Sequence, residues 1–307
     1  MILPNRLQPG DTIGVIAPAS HPNQEYLEKA LPFLQEELGL NIQLGKYVSE
    51  KNGYLAGTDE ERLEDLHKMF ENPDIAGIIC AGGGYGTSRI SSEINFDLIR
   101  DNPKIFWGYS DITYLHTAFR QKADLVTFHG PMLSSDIGKE EFDSLSREMF
   151  QQLFEPTSLT YDEGISPLTV LSEGEASGEI VGGNLSLLVT SIGTEYEVDT
   201  AEKLLLIEDI GEEPYRIDSF LNQLKQAGKL HDAAGIIVGD FNKAEPKDQD
   251  AAIPLDKVLE HYFSDLHKPV LSGFKIGHCF PHFAVPLGAT ANLSSHSKTL
   301  HISPGVK

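Results

Sequence analysis

Cysteine is almost absent from this sequence: Cys80 and Cys279 are the only two in 307 residues. That is too few for a disulfide framework, and reduced thiols suit a reducing compartment. No apolar run approaches the roughly 20 residues that a membrane-spanning helix needs. The opening residues, Met1-Ile2-Leu3-Pro4-Asn5-Arg6, lack the basic start and sustained apolar stretch of a secretory signal, so the expected location is the cytoplasm. Positive charge is scarce as well. Twenty-four Lys and Arg stand against forty-six Asp and Glu, a formal charge of −22, which would repel a phosphate backbone or an anionic membrane surface. Neither nucleic acid nor a membrane is expected as a partner, and the acidic excess, spread along the chain, reads as solvated surface. No internal repeat or low-complexity tract is present.

What the chain does have is alternation. Thr12 to Ala17 reads as a buried strand ended by Pro18-Ala19-Ser20, and Tyr26 to Leu38 as a helix closed by Gly39. Ile42 to Leu44 is a short strand, Asp59 to Phe70 a helix carrying Leu63, Leu66, Met69 and Phe70, and Ile75 to Ala81 another buried strand. Ile105 to Gly108 is one more, followed by a helix with Ile112, Leu115, His116 and Phe119 on one face. The series predicts an α/β fold whose N-terminal domain is a doubly wound, mostly parallel sheet, with ligands beyond the carboxyl ends of its strands. A helix is expected from Glu140 to Phe154, then a polar Gly-, Ser- and Glu-rich stretch. This places an N-terminal domain at 1–160, a linker at 161–177 and a smaller, β-rich α/β C-terminal domain at 178–307. In the latter, Lys203 to Ile207 and Ile236 to Val238 read as strands and Pro214 starts a helix with Ile217, Phe220, Leu221 and Leu224 inward. Asn242 to Pro254 reads as a surface loop, and the last fifty residues as mostly β.

Four pieces can carry chemistry. Gly82-Gly83-Gly84-Tyr85-Gly86 follows a strand, where bare backbone N–H groups can face an anion or a developing oxyanion. It is neither G-x-G-x-x-G, since Thr87 stands at the last glycine, nor a P-loop, and a tight turn is the plain alternative. Gly108-Tyr109-Ser110-Asp111 puts a hydroxyl at a strand-to-helix corner, as a serine nucleophile requires. Ile112 in place of the second glycine removes the G-x-S-x-G elbow, and ordinary N-capping explains a Ser-Asp pair equally well. Glu208-Asp209 ends a strand and can orient a histidine, although with Glu212 and Glu213 it can also favour the dipole of the following helix. Gly277-His278-Cys279-Phe280-Pro281-His282 offers the imidazole. A zinc site there lacks further ligands, so no metal or cofactor is expected, and a buried strand-end thiol is the plainer account of Cys80.

Seven stretches, in order, resemble the LD-carboxypeptidase family, the muramoyl-tetrapeptide carboxypeptidases: Leu7 to Ser20, Gly82 to Gly86, Gly108 to Thr113, His129-Gly130-Pro131-Met132, Gly182-Gly183-Asn184-Leu185, Glu208 to Glu212, and Gly277-His278. The resemblance implies a serine peptidase with a Ser110, Glu208, His278 triad, often homodimeric. It implies removal of the terminal D-alanine from cytoplasmic muropeptide tetrapeptides in cell-wall recycling, by cutting its amide to a diamino acid. A related branch inactivates a peptide-nucleotide antibiotic. Asp209 and Glu212 stand close enough to Glu208 to be alternatives for the acid. In such an enzyme the N–H groups of Asp111, Gly83 and Gly84 would meet the oxyanion, while Tyr85, Arg89 and Arg216 are candidates for substrate contacts. The competing class is a binding protein that holds a nucleotide or sugar phosphate at the glycine loop without chemistry.

Overall fold

A computed structural model describes residues 1–140, 142–248 and 253–307. Their contacts divide the chain into one unit of Met1–Thr157, Phe280–Gly288 and Pro304–Lys307, and another of Ser158–Cys279 and Ala289–Ser303.

Five parallel strands make most of the first sheet: β1 (Thr12–Ile16), β2 (Asn41–Leu44), β3 (Ile75–Cys80), β4 (Ile105–Gly108) and β5 (Thr127–His129). Their spatial order is 2-1-3-4-5, and the chain returns at Val285–Leu287 to add an antiparallel sixth strand beside β5. Both faces must then be apolar, which is why these strands read as unbroken apolar runs. Ile16, Ile78, Cys80 and Phe106 pack on one face with Leu66, Met69, Leu115 and Phe119 from the helices Asp59–Glu71 and Thr113–Ala123. Trp107 points the opposite way, as strand alternation demands, and stacks on Phe150 at 4.3 Å and on Phe128 at 6.0 Å. In this strand order the chain reverses direction across the sheet between β1 and β3, and the crevice at their carboxyl ends is where such sheets bind ligands.

The helix expected from Glu140 to Phe154 is shorter. It starts at Ser144, because Asp143 caps it through Ser146 N–H at 3.0 Å, and after Glu148 it tightens to a 3-10 segment, Met149–Leu153. Glu141 lies outside the described residues.

The second unit carries β6 (Leu159–Tyr161), β7 (Thr169–Ser172), β8 (Glu175–Asn184), β9 (Leu204–Ile210), β10 (Gly235–Asn242) and β11 (Val270–Ser272). Counting the returning strand as β12, its last two are β13 (Thr290–Ser294) and β14 (Thr299–Ile302). The order is β6-β14-β13-β8-β9-β10-β11-β7, parallel from β8 to β11 and antiparallel elsewhere. Ile217, Leu221 and Leu224 of the helix Pro214–Gln226 and Val258 and Tyr262 of the helix Leu255–Phe263 bury against Leu205, Ile207, Ile236 and Val238.

Where the sequence suggested a linker, 161–177, the structure has the end of β6, all of β7 and the start of β8. β6 and β7 are the two outermost strands, and edge strands carry too little buried surface to show a clear apolar pattern. The stretch expected as a mostly β ending begins inside the helix Leu255–Phe263, whose start follows Pro254. Of the expected loop Asn242 to Pro254, residues 249–252 lie outside the described set.

Candidate active site

Ser110 has φ of 63°, in the left-handed region that a non-glycine residue enters at a cost of about 1–3 kcal/mol. The strain is held by its neighbours. Tyr109 is buried and extended, and its hydroxyl donates to Asp136 Oδ1 at 2.9 Å. Asp111, also buried, accepts from Thr87 N–H at 2.9 Å, and its carbonyl accepts from the Thr87 hydroxyl at 2.7 Å. Burial raises the Asp111 carboxyl above its usual range, and the Thr87 hydrogen bonds oppose that rise. The serine corner and the end of the glycine loop are thus one hydrogen-bonded piece.

Gly83 sits directly against the serine. A Cβ on it would fall 2.9 Å from Ser110 Cβ and 3.2 Å from Ser110 Oγ, so only glycine lets the loop backbone come this close. Ser20, at the end of β1, fixes the loop from the other side: its N–H donates to the Gly83 carbonyl at 3.1 Å, and its hydroxyl accepts from Tyr85 N–H at 3.1 Å. With that carbonyl held, a trans peptide turns the Gly84 N–H to the opposite side.

Beneath the loop lies a group that the sequence did not reveal as functional. Arg62 is 1 % exposed, and its Nη1 donates to the Pro18 carbonyl at 2.8 Å and to the Gly86 carbonyl at 2.9 Å, clamping the segments after β1 and β3 together. Its Nη2 pairs with Asp59, which Arg89 also grips through three N–H contacts of 2.8–3.1 Å. The Arg89 hydrogen bonds hold the Asp59 carboxyl below its ordinary value. Arg89 is therefore engaged by a carboxylate of its own unit. The available signal was position: Arg62 shares a helical stripe with Leu66 and Met69, where a cation needs buried partners.

In the second unit, His278 Nδ1 lies 2.6 Å from Oε2 of Glu208, a carboxylate with no exposed surface. The loop before the histidine makes room for it, since a Cβ on Gly277 would sit 2.5 Å from that same oxygen. Asn242 Nδ2 donates to the His278 carbonyl at 2.6 Å and pins the loop to the end of β10. Asp209 is occupied elsewhere: it accepts from Asn184 Nδ2 at 3.0 Å and Ser186 N–H at 2.9 Å. Burial, then the neighbouring charge of Glu208, pushes the Asp209 carboxyl up to about 6. Glu212 pairs with Arg216 at 3.4 Å, whose guanidinium lies over the Phe220 ring. Of the three acids, the geometry joins Glu208 to the imidazole.

Cys80 is fully buried and burial raises its thiol, which argues against a thiolate nucleophile there. Among the described residues no group of three or more His, Cys, Asp or Glu side chains could hold a metal ion, and no helix is long and apolar enough to cross a membrane.

The family model described as the LD-carboxypeptidase N-terminal domain matches residues 13–130, and that of the LD-carboxypeptidase C-terminal domain matches residues 177–293. The chain belongs to the LD-carboxypeptidase family. It is 55 % identical over 303 residues, 99 % of this chain and 95 % of the relative, to a Bacillus subtilis protein named "Probable murein peptide carboxypeptidase". It is 32 % identical to the murein tetrapeptide carboxypeptidase of Pseudomonas aeruginosa, covering 92 % of this chain and 93 % of that one. The solved muramoyltetrapeptide carboxypeptidase of Oxalobacter formigenes superposes with a TM-score of 0.86 at 29 % identity, over 96 % of this chain and 100 % of that one. An MccF-like protein of Bacillus anthracis superposes with a TM-score of 0.88 at 27 % identity, over 99 % and 100 %. The α/β expectation, with one mostly parallel sheet, agrees with these neighbours, and membership of this family makes the chain a carboxypeptidase.

Proposed function

We propose that this LD-carboxypeptidase is a serine peptidase that removes the terminal D-alanine from murein tetrapeptides, cutting its amide to the preceding diamino acid. The observation that carries the reading is the pairing of His278 Nδ1 with buried Glu208 at 2.6 Å. A carboxylate on Nδ1 fixes the tautomer in which Nε2 accepts a proton, and stabilises the imidazolium that results. The strained backbone of Ser110, φ 63°, supports its assignment as the nucleophile.

In this mechanism His278 takes the Ser110 proton, and Oγ attacks the scissile carbonyl to give a tetrahedral oxyanion. N–H groups of Gly83, Gly84 and Asp111 meet that charge. Collapse expels D-alanine, which takes the proton from His278, and water then hydrolyses the acyl-enzyme by the same base. One oxyanion donor contributes about 3–4 kcal/mol and a general base about 10²–10⁴-fold, so the parts must act together. Of the arginine candidates for the substrate's terminal carboxylate, Arg216 is the less committed, since one 3.4 Å ion pair and the Phe220 ring hold it while Asp59 takes the fork of Arg89. The enzyme is read as a cytoplasmic homodimer acting on recycled cell-wall fragments, with light scattering at twice the chain mass as the check on assembly. The relatives named for murein peptides, at 55 % and 32 % identity, favour the peptide substrate over a nucleotide conjugate. The test is to incubate the protein with a tetrapeptide ending in D-Ala and to follow free alanine. Blocking the chain end as a carboxamide should abolish release if the site reads the terminal carboxylate.

A further inference from the structure

Two large aromatic side chains stand exposed at the carboxyl edge of the first sheet. Tyr85 is 47 % exposed and Tyr54 65 %, and their rings meet edge to face with centroids 5.6 Å apart. Scattered single apolar residues on a surface need no explanation, but two in contact beside a nucleophile loop do. Neither sits on a loose tail. The Tyr85 N–H is held by Ser20 Oγ, while Tyr54 lies in a tight turn closed by reciprocal Asn52 and Leu55 backbone bonds of 2.9 and 3.0 Å. Next to it, buried Leu55 packs against the glycine loop at Gly86, and Ala56 N–H donates to the Ala19 carbonyl at 3.0 Å.

We propose that Tyr54 and Tyr85 form a stacking subsite for the sugar ring at the amino end of a muramoyl-tetrapeptide, an inference that rests on the carboxypeptidase reading above. The distances suit it. Gly83 abuts Ser110, and two residues of chain carry Tyr85 at most about 7 Å beyond it, with its ring reaching further. In the substrate three residues separate the scissile carbonyl from the sugar, a span of about 10 Å when extended. The chemistry suits it too. A pyranose offers a C–H face to one aromatic ring and hydroxyls to phenolic groups, and a tyrosine presents an apolar body with a polar tip. Two rings inclined at 62° make a corner that can cradle a puckered sugar, whereas a flat nucleobase is sandwiched best between parallel rings.

The test uses the full chain with Ser110→Ala, so that binding is measured without turnover, and titrates it calorimetrically with muramoyl-tetrapeptide and with the same tetrapeptide lacking the sugar. The sugar should tighten Kd by about tenfold, Tyr54→Ser or Tyr85→Ser should reduce that advantage to less than about threefold, and Tyr54→Ser should leave binding of the bare peptide unchanged. Tyr54→Phe should keep most of it, and unchanged melting temperatures would show that the fold is intact. An equal sugar advantage in the serine variants, or none in the parent, overturns the proposal. So does adenosine monophosphate binding that depends on the pair when sugar binding does not. Alanine release by the Ser110 protein is followed separately. Sugar-dependent binding without release would refute the peptidase reading and uphold the subsite, and release without sugar-dependent binding would do the reverse.

Discussion

Acid should unfold the first unit through a buried histidine on the helix Thr113–Ala123, which follows Ser110. His116 is 1 % exposed, with Nε2 2.8 Å from the Gly108 carbonyl and Nδ1 2.9 Å from Thr127 Oγ1. A carbonyl only accepts, so Nε2 carries the proton and Nδ1 accepts from the threonine hydroxyl; the neutral ring is fully satisfied. A second proton would place a charge in a dry interior and turn the Thr127 hydroxyl into an acceptor, with its own proton sent elsewhere. Burial accordingly lowers the His116 pKa from 6.5 to about 3, opposed by the hydrogen bond to Gly108. Because the unfolded chain binds a proton that the folded one refuses, this contribution is complete above about pH 6.5 and is lost as pH falls toward 3. The loss should be about 1.4 kcal/mol per pH unit across that window, on the order of 4–5 kcal/mol in all. Trp107 is the single tryptophan and lies in β4, so its fluorescence reports this unit alone. Urea unfolding followed by that signal at pH 7.5, 6, 5 and 4.5 should show the parent losing stability to His116→Gln at that slope below about pH 6. Other titrating groups cancel in the difference. Parallel pH profiles for the two proteins would refute the reasoning.

Other substitutions separate the roles of neighbouring groups. Glu208→Gln should lower kcat about 10⁴-fold by leaving the wrong tautomer of His278. Asp209→Asn should cost stability through the helix start at Ser186 and leave far more activity, as kinetics beside thermal melts would reveal. Gly83→Ala should abolish most turnover at a modest change in melting temperature, because its methyl would lie 2.9 Å from Ser110 Cβ. Arg62→Met should destabilise the first unit by about 2–4 kcal/mol in urea, since two buried carbonyls lose their donor.

Much of the first unit was legible because a parallel sheet covered on both faces announces itself. The runs at Thr12, Ile75 and Ile105 could be little else, and the helix at Asp59 carries a capping box between Thr58 and Glu61. Long-range return was not legible. Nothing in Val285-Pro286-Leu287 tells which sheet it joins, since its partner, His129 to Thr127, is more than 150 residues away. Ser110, Glu208 and His278 stood out as polar groups at strand ends, and Gly83 as a glycine cluster. Arg62 and Ser20 did not, because a helix arginine and a strand-end serine are common, and only packing shows that they grip the glycine loop. Asp209 could not be told from Glu208 in one dimension. Alternate strand residues face opposite sides, so one reaches the imidazole and the other the helix start.

The central claim is that the Ser110 hydroxyl attacks the bond to a terminal D-alanine. Alanine release should be measured from tetrapeptides ending in D-Ala and in L-Ala, for the parent and for Ser110→Ala. The account predicts release of D-alanine alone by the parent and a fall on the order of 10⁶ in kcat for the variant. Undiminished release by Ser110→Ala, or equal release of the two enantiomers, would contradict it.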